Sequence, residues 1–237
     1  KMTFSMTYAY SEKYILVLSH DEVVHLKHPM LEKMPGGIEE KFSGLKALYA
    51  LQFTSPGKKL LFMGQDFAED REWDEKREIN WAFANDFGHR DVMQCVKNLI
   101  GIYRDNPCLY TDSKDSRTFE WVRSDDSERN ILSYIRRNPW NYEDAVLVIA
   151  NLSPVVYEDY SCGVPLEGYY QRIFSTYDSL PGQGSPDEMG GIPPLTAKKE
   201  LCDGRPYQIS YALRPNEVAV IRFPKKGTDG KNAKGTE

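Results

Sequence analysis

The chain has 237 residues and a formal net charge of −5, with a sequence pI near 5.5. Apolar residues make up 41% and charged residues 27%, as in a soluble globular protein with one large or two ordinary domains. The acidic balance argues against a nucleic-acid or anionic-membrane surface, and no run approaches the roughly 20 apolar residues of a membrane span.

The first hundred residues alternate predicted strands and helices. Two apolar runs are typical of strands buried on both faces, and two segments carry apolar residues at helical spacing. Pro56-Gly57 and Pro107 are expected to end the helices. The order strand–helix–strand–helix predicts parallel strands joined by right-handed crossovers. The predicted strands cover residues 14–18 and 59–63, and the predicted helices cover residues 38–55 and 92–103.

From about residue 109 short strands recur without helices between them. Turn-forming residues such as Asn138-Pro139 separate them, which is typical of an antiparallel sandwich. Residues 178–204 are rich in Gly and Pro and are expected to form a long surface loop. The tail after Pro224 offers little to bury and is expected to be disordered. The predicted strands cover residues 118–123, 130–137, 145–152, 169–176, 205–213 and 217–223.

Cysteines and histidines give no metal-site pattern. The four cysteines are far apart, so zinc-ribbon and redox motifs are excluded, and a reduced, cytoplasmic protein is the simplest interpretation. His25 and His28 could share one helical face, but no further Cys or His completes a site, so we expect no metal and no cofactor. The cysteines are Cys95, Cys108, Cys162 and Cys202.

The most informative feature is the polar run Ser19-His20-Asp21-Glu22, directly after the first predicted strand. The carboxyl ends of parallel strands are where α/β barrels place their catalytic groups. By itself the His20-Asp21 pair allows two interpretations: a catalytic carboxylate, or a structural pair in which Asp21 fixes the imidazole tautomer. Two parallel strands also make a poor sheet, because their edges need neighbours. We therefore expect further strands upstream, in a larger enzyme.

Several segments resemble the glycogen branching enzymes, members of the α-amylase superfamily (glycoside hydrolase family thirteen). Residues 18–25 resemble the family's seventh barrel strand and its polar extension, and residues 56–64 resemble its eighth strand. The resemblance runs from about residue 1 to residue 223. Further similar segments are Lys33-Met34-Pro35-Gly36, Arg71-Glu72-Trp73, Phe119-Glu120-Trp121, Asn151-Leu152-Ser153-Pro154-Val155 and Gly204-Arg205-Pro206.

The resemblance implies a fold in three parts. Residues 1–107 would form the last two βα units of a catalytic (β/α)8 TIM barrel, residues 108–224 an antiparallel all-β sandwich of the amylase type, and residues 225–237 a disordered tail. It also implies a transferase of glycogen biosynthesis, a 1,4-alpha-glucan branching enzyme. Such an enzyme cleaves an α-1,4-glucan with retention and transfers the chain to a 6-hydroxyl, making an α-1,6 branch.

The resemblance also implies roles for individual residues. Asp21 would be the carboxylate that stabilises the cationic transition state, and His20 would donate hydrogen bonds to sugar hydroxyls. The nucleophile and the general acid are expected upstream, so the chain alone is expected to be inactive. Its expected partners are α-1,4-glucan or glycogen and the missing N-terminal part of the barrel, with no nucleic acid and no membrane. Substrate-binding or supporting roles would fall to Glu22, Asp66, Arg71 and Trp73.

The chain departs from the family pattern at two positions. Asp66 stands where the family typically has Glu, and Leu26 stands where it often has Gly.

Trp73 is either a sugar-stacking residue or a buried loop anchor, while Trp140 falls at a predicted hairpin tip and Trp121 in a predicted core strand. A non-catalytic glucan-binding β module is one rival function, and a hydrolase or debranching relative of the amylases is another. The two βα units argue against the glucan-binding module. The similarity of residues 58–64 and 71–73 to the branching enzymes argues against the hydrolase or debranching relative.

Overall fold

The computed structural model describes residues 2–111, 114–178 and 192–225. Its first part contains strand β1 (Ile15–Leu18), helix α1 (Ile38–Thr54), strand β2 (Lys58–Leu61) and helix α2 (Phe87–Asp105). The two strands pair in parallel, with Ile15 opposite Lys58 and Leu18 opposite Leu61. The predicted element order and the parallel pairing are therefore confirmed. No helix among these residues is long and apolar enough to cross a membrane.

Both helices end close to the residues expected to break them, but α2 begins earlier than the spacing of its apolar residues predicts. α1 ends at Thr54, and Gly57 at φ +116° turns the chain into β2. α2 ends at Asp105, two residues before Pro107, yet it begins at Phe87 instead of Val92. Its first turn carries Gly, His and Arg, so apolar periodicity could not reveal it.

The second part is antiparallel. The strands are β3 (Phe119–Asp126), β4 (Ile131–Asn138), β5 (Asn141–Asn151), β6 (Tyr157–Val164), β7 (Tyr169–Ser175), β8 (Leu195–Thr196), β9 (Tyr207–Leu213) and β10 (Val218–Arg222). They form a six-stranded sheet in the order β3-β4-β5-β10-β7-β8 and a separate pair, β6-β9, as the sequence predicted for an antiparallel sandwich.

Two of these strands were missed by the sequence analysis. β6 carries Glu158 and Asp159 on exposed positions, and these charges hide its alternation. β8 lies inside the predicted surface loop, so residues 192–204 are not wholly irregular. Residues 179–191 of that loop, and residues 226–237 of the predicted tail, lie outside the described residues.

The six-stranded sheet is buried on both faces, which gives the protein two cores. One face packs on α1 and α2, in a core that includes Val148, Val220, Tyr49 and Leu99. The opposite face packs on the β6-β9 pair. Successive residues of β5 therefore point into different cores, and Ala145 to Asn151 are all buried. This double burial explains the uninterrupted apolar run there. The predicted domain boundary after residue 107 stays a prediction.

The small parallel sheet differs from expectation. Its strands were predicted to be buried on both faces, but that prediction is wrong for the described residues. Leu18 and Leu61 pack against the helical core, whereas Ile15, Val17 and Leu60 are 55%, 47% and 38% exposed. One face of this sheet is thus apolar and open to solvent.

Candidate functional site

The polar run after β1 folds into a single 3-10 turn, His20–Glu22. Ser19 caps this turn, because its hydroxyl accepts a hydrogen bond from the Asp21 N–H at 3.2 Å. The Lys27 ammonium donates to the Asp21 carbonyl oxygen at 2.6 Å, which fixes the backbone further. The turn therefore stands at the carboxyl end of β1, as the sequence predicted.

Asp21 presents its carboxylate to solvent. Its side chain is 70% exposed, and Oδ1 lies 3.3 Å from Nε2 of His20, whose side chain is 50% exposed. The pair is therefore open to solvent in this chain, and the catalytic role of Asp21 stays a prediction.

Trp73 holds the His20 ring in place. The His20 ring centroid lies 5.9 Å from those of Trp73 and Phe62, and Phe62 and Trp73 meet edge to face at 5.4 Å. The backbone N–H of Trp73 donates to the carbonyl oxygen of Val23 at 2.9 Å. Trp73 is partly buried and packs against the core beneath the site. It is therefore an anchor between the loops that follow β1 and β2, and sugar stacking by its ring stays a prediction.

A small, open cleft lies between these two loops. Arg71 lines it and is held by its own loop: Nε donates to Glu69 Oε1 at 3.1 Å, and Nη2 donates to the Glu78 carbonyl at 3.2 Å. Polar and charged groups thus converge on a concave, partly apolar surface beside His20 and Asp21. The residues that line the cleft include Val23, Met30, Met63, Arg71, Glu72 and Trp73.

Glu72 has a role that the sequence analysis missed. Its two carboxylate oxygens accept hydrogen bonds from the backbone N–H groups of His28 at 2.7 Å and Leu26 at 3.1 Å. These bonds, led by the one from His28, lower the pKa of Glu72. Glu72 is part of the quoted Arg71-Glu72-Trp73 segment, but nothing local in the sequence links it to residues 44 and 46 positions away.

Glu22 and Asp66 are placed differently from the cleft residues. Glu22 is exposed on the same 3-10 turn as Asp21. Asp66 lies in the turn Gln65–Phe67 after β2 and is also exposed. It borders a second groove beside Lys58, Lys59 and Tyr103 and does not line the cleft. The structure thus brings Asp21, His20 and Trp73 together but leaves Asp66 apart.

The predicted helical face of His25 and His28 does not exist. Both residues have left-handed backbone, with φ of 56° and 65°, and the His28 ring pairs with Glu32 at 3.0 Å. Within the described ranges, no group of three or more His, Cys, Asp or Glu residues is placed to hold a metal ion.

Comparison with known proteins finds a matching domain model and similar proteins. Residues 121–224 match the model of the alpha amylase C-terminal all-beta domain. The chain is 43% identical over 230 residues to the 1,4-alpha-glucan branching enzyme GlgB of Butyrivibrio fibrisolvens, covering 96% of this chain and 35% of that protein. It is 40% identical over 225 residues to GlgB of Deinococcus radiodurans, covering 93% and 31%. The chain therefore spans about a third of the length of these curated relatives.

Solved structures show the same fold at low identity. The pullulanase type I from Bacillus subtilis str. 168, in complex with maltose, matches with a TM-score of 0.59 at 15% identity, covering 89% of this chain and 27% of that one. A pullulanase from Anoxybacillus sp. LM18-11 matches with a TM-score of 0.52 at 13% identity, covering 79% and 24%. Over most of its length the chain is therefore similar to a part, about a third, of curated 1,4-alpha-glucan branching enzymes.

Proposed function

We propose that this chain supplies part of the active site of a 1,4-alpha-glucan branching enzyme, acting in glycogen biosynthesis. The observation that carries the proposal is the solvent-open carboxylate of Asp21, held at the carboxyl end of β1 beside a cleft. The identity of 43% to a curated branching enzyme supports it. Because the chain spans about a third of such relatives, the nucleophile and the general acid are proposed to lie outside these residues.

The two βα units are proposed to be the last two of a (β/α)8 barrel. The parallel pairing of β1 with β2 supports this, since barrel strands are parallel. The exposure of Ile15, Val17 and Leu60 supports it as well, because further strands and barrel-interior side chains would cover them. The catalytic carboxylates of a barrel would then converge on the edge that carries Asp21.

Asp21 would act through its charge. As the bond to the leaving sugar breaks, the glucosyl ring becomes cationic, and an anion about 4 Å away is worth about 4 kcal/mol at an effective dielectric near 20. Only the part of this attraction that grows toward the transition state speeds the reaction. His20 would donate a hydrogen bond to a sugar hydroxyl and orient the same ring.

The remaining predicted residues would serve substrate binding. Arg71 and Trp73 would shape the glucan cleft, and Glu22 would support the catalytic turn. Asp66 would contact glucan only at the second groove, on another part of the surface. A cytoplasmic location is part of the proposal and rests on four free thiols.

A chimeric enzyme tests the function. Residues 2–225 would replace the matching segment of the Butyrivibrio fibrisolvens enzyme, and branching of amylose would be followed through the α-1,6 linkages formed. Asp21→Asn should lower turnover about 10²–10³-fold, as for loss of other preorganised electrostatic groups. The fold should survive, since the side chain is 70% exposed. Asp105→Asn, at an exposed helix end, is the matched control and should leave turnover unchanged.

Other results would point elsewhere. Near-normal turnover of the Asp21→Asn chimera would remove Asp21 from the reaction. Release of linear products without new α-1,6 linkages would favour a hydrolase. The 237-residue chain alone should not branch amylose, and tight retention of that chain on granular starch by its β layer would favour the binding-module rival.

A further inference from the structure

We propose that Glu72 is a positioning residue, which sets the path of the turn 25–28 and through it the placement of Asp21. Only the expected effect of Glu72 on catalysis rests on the proposed function. The structural part of the proposal stands on contacts between the two loops and can be tested without any substrate.

The turn 25–28 has an unfavourable backbone. His25, Leu26 and His28 have φ of 56°, 66° and 65°, in the left-handed region that residues other than Gly rarely adopt. Such conformations persist only where surrounding contacts enforce them. Side-chain packing does not supply that enforcement at Leu26, because it is 88% exposed.

Glu72 supplies the missing contacts. Each of its carboxylate oxygens accepts a hydrogen bond from one backbone N–H, from Leu26 and from His28, so two residues of the strained segment are tied to one side chain. Charged acceptors make hydrogen bonds about twice as strong as neutral ones. The titratable groups beside this carboxylate are His25 and His28 on the turn. The charged residues that line the cleft together with Glu72 are Glu69, Arg71, Asp74, Arg77 and Glu78.

The same loop also holds the chain just before the turn. Trp73, next to Glu72, donates its backbone N–H to the carbonyl of Val23, two residues after Asp21. Lys27, inside the turn, donates back to the Asp21 carbonyl. The path from Glu72 to Asp21 is therefore short and consists of hydrogen bonds to the backbone. If the turn relaxes, the Lys27 contact is lost and the Asp21 carboxylate is free to shift.

Amide hydrogen exchange on the 237-residue chain tests the structural part. Glu72→Ala should speed exchange at Leu26 and His28 by about 10- to 100-fold, the range expected for losing hydrogen bonds to a charged group. Glu72→Gln should have a smaller effect, since it keeps one acceptor oxygen. Glu32→Ala is the matched control, because the Glu32 carboxylate pairs with the His28 ring and accepts from neither amide, so both should be unchanged. Unchanged exchange in both Glu72 variants would overturn the proposal, whatever the chain catalyses.

A double-mutant cycle in the chimera tests the link to Asp21. Glu72→Ala should lower kcat by about 10- to 100-fold, as small misplacements of catalytic groups do. In the Asp21→Asn background the same change should have almost no further effect, because the group that Glu72 positions is already gone. An equal loss in both backgrounds would show that Glu72 does not act through Asp21. If Asp21→Asn itself has no effect, the proposed function fails, and amide exchange still decides the role of Glu72.

Discussion

Arg136 offers the sharpest test of how the helical and β layers are held together. This β4 residue is 1% exposed, and its guanidinium bonds to three backbone carbonyls. Nη1 donates to Thr54 at the end of α1 at 2.6 Å, Nη2 to Leu109 at 3.2 Å, and Nε to Thr118 at 3.1 Å. Burial lowers the pKa of the guanidinium. One side chain thus joins three segments that are distant in sequence.

Replacing Arg136 with Met keeps much of the volume and removes all three donors. Each orphaned buried carbonyl costs about 1–3 kcal/mol, or about 3–9 kcal/mol for three. Removing the buried charge returns several kcal/mol of desolvation energy. We expect a net loss of about 2–4 kcal/mol in the free energy of unfolding, a large share of the roughly 5–15 kcal/mol typical of a domain.

Urea unfolding followed by circular dichroism measures this change. Arg104→Met is the matched control, since Arg104 is 77% exposed and bonds only to its neighbour Asp105. It should shift stability by less than about 0.5 kcal/mol. If Arg136→Met changes the free energy of unfolding no more than the control does, the three carbonyls do not depend on the guanidinium, and Arg136 does not hold these segments together.

Two further predictions concern the parallel sheet. Gln52 donates its amide N–H groups to the carbonyls of Leu16 and Leu60, so Gln52→Leu should speed amide exchange in β1 and β2 and leave β5 unchanged. Burial lowers the pKa of Lys59 to about 6, from 10.5. Between these values the unfolded chain binds the extra proton, so stability should rise with pH there, and the stability of Lys59→Met relative to the wild type should fall from pH 6 to pH 10. Exposed Lys58→Met is the control, and a flat difference for Lys59→Met would contradict the lowered pKa.

Local sequence was enough for much of the fold. The spacing of apolar residues from Ile38 onward and the breaker Pro56-Gly57 located α1 to within a residue. The order of elements predicted the parallel pair, and recurrent short strands predicted the antiparallel layer. These features were predictable because helix and strand periods, and the backbone limits of Pro and Gly, act between residues close in the chain.

The misses share one cause. β6 looked too polar for a strand, because its burial comes from pairing with β9, about 50 residues later. The strands 14–18 and 59–63 looked fully buried, but their apolar residues do not reveal what lies opposite one face. The substrate-binding role expected for Asp66 stays a prediction, and the turn after Gly64, at φ +75°, places Asp66 at the second groove. For β6 and for the two parallel strands, packing between distant segments decided the outcome.

For the candidate site, the sequence by itself determined which residue carries the negative charge and at which strand end it stands, because Asp21 directly follows an apolar run. Only the tertiary structure decided what surrounds that charge: the Trp73 ring against His20, and the Glu72 carboxylate under a turn 44 residues earlier. The physical reason is that strand and turn formation depend on neighbours in sequence. A hydrogen bond between two loops exists only after the parallel strands beneath them have paired.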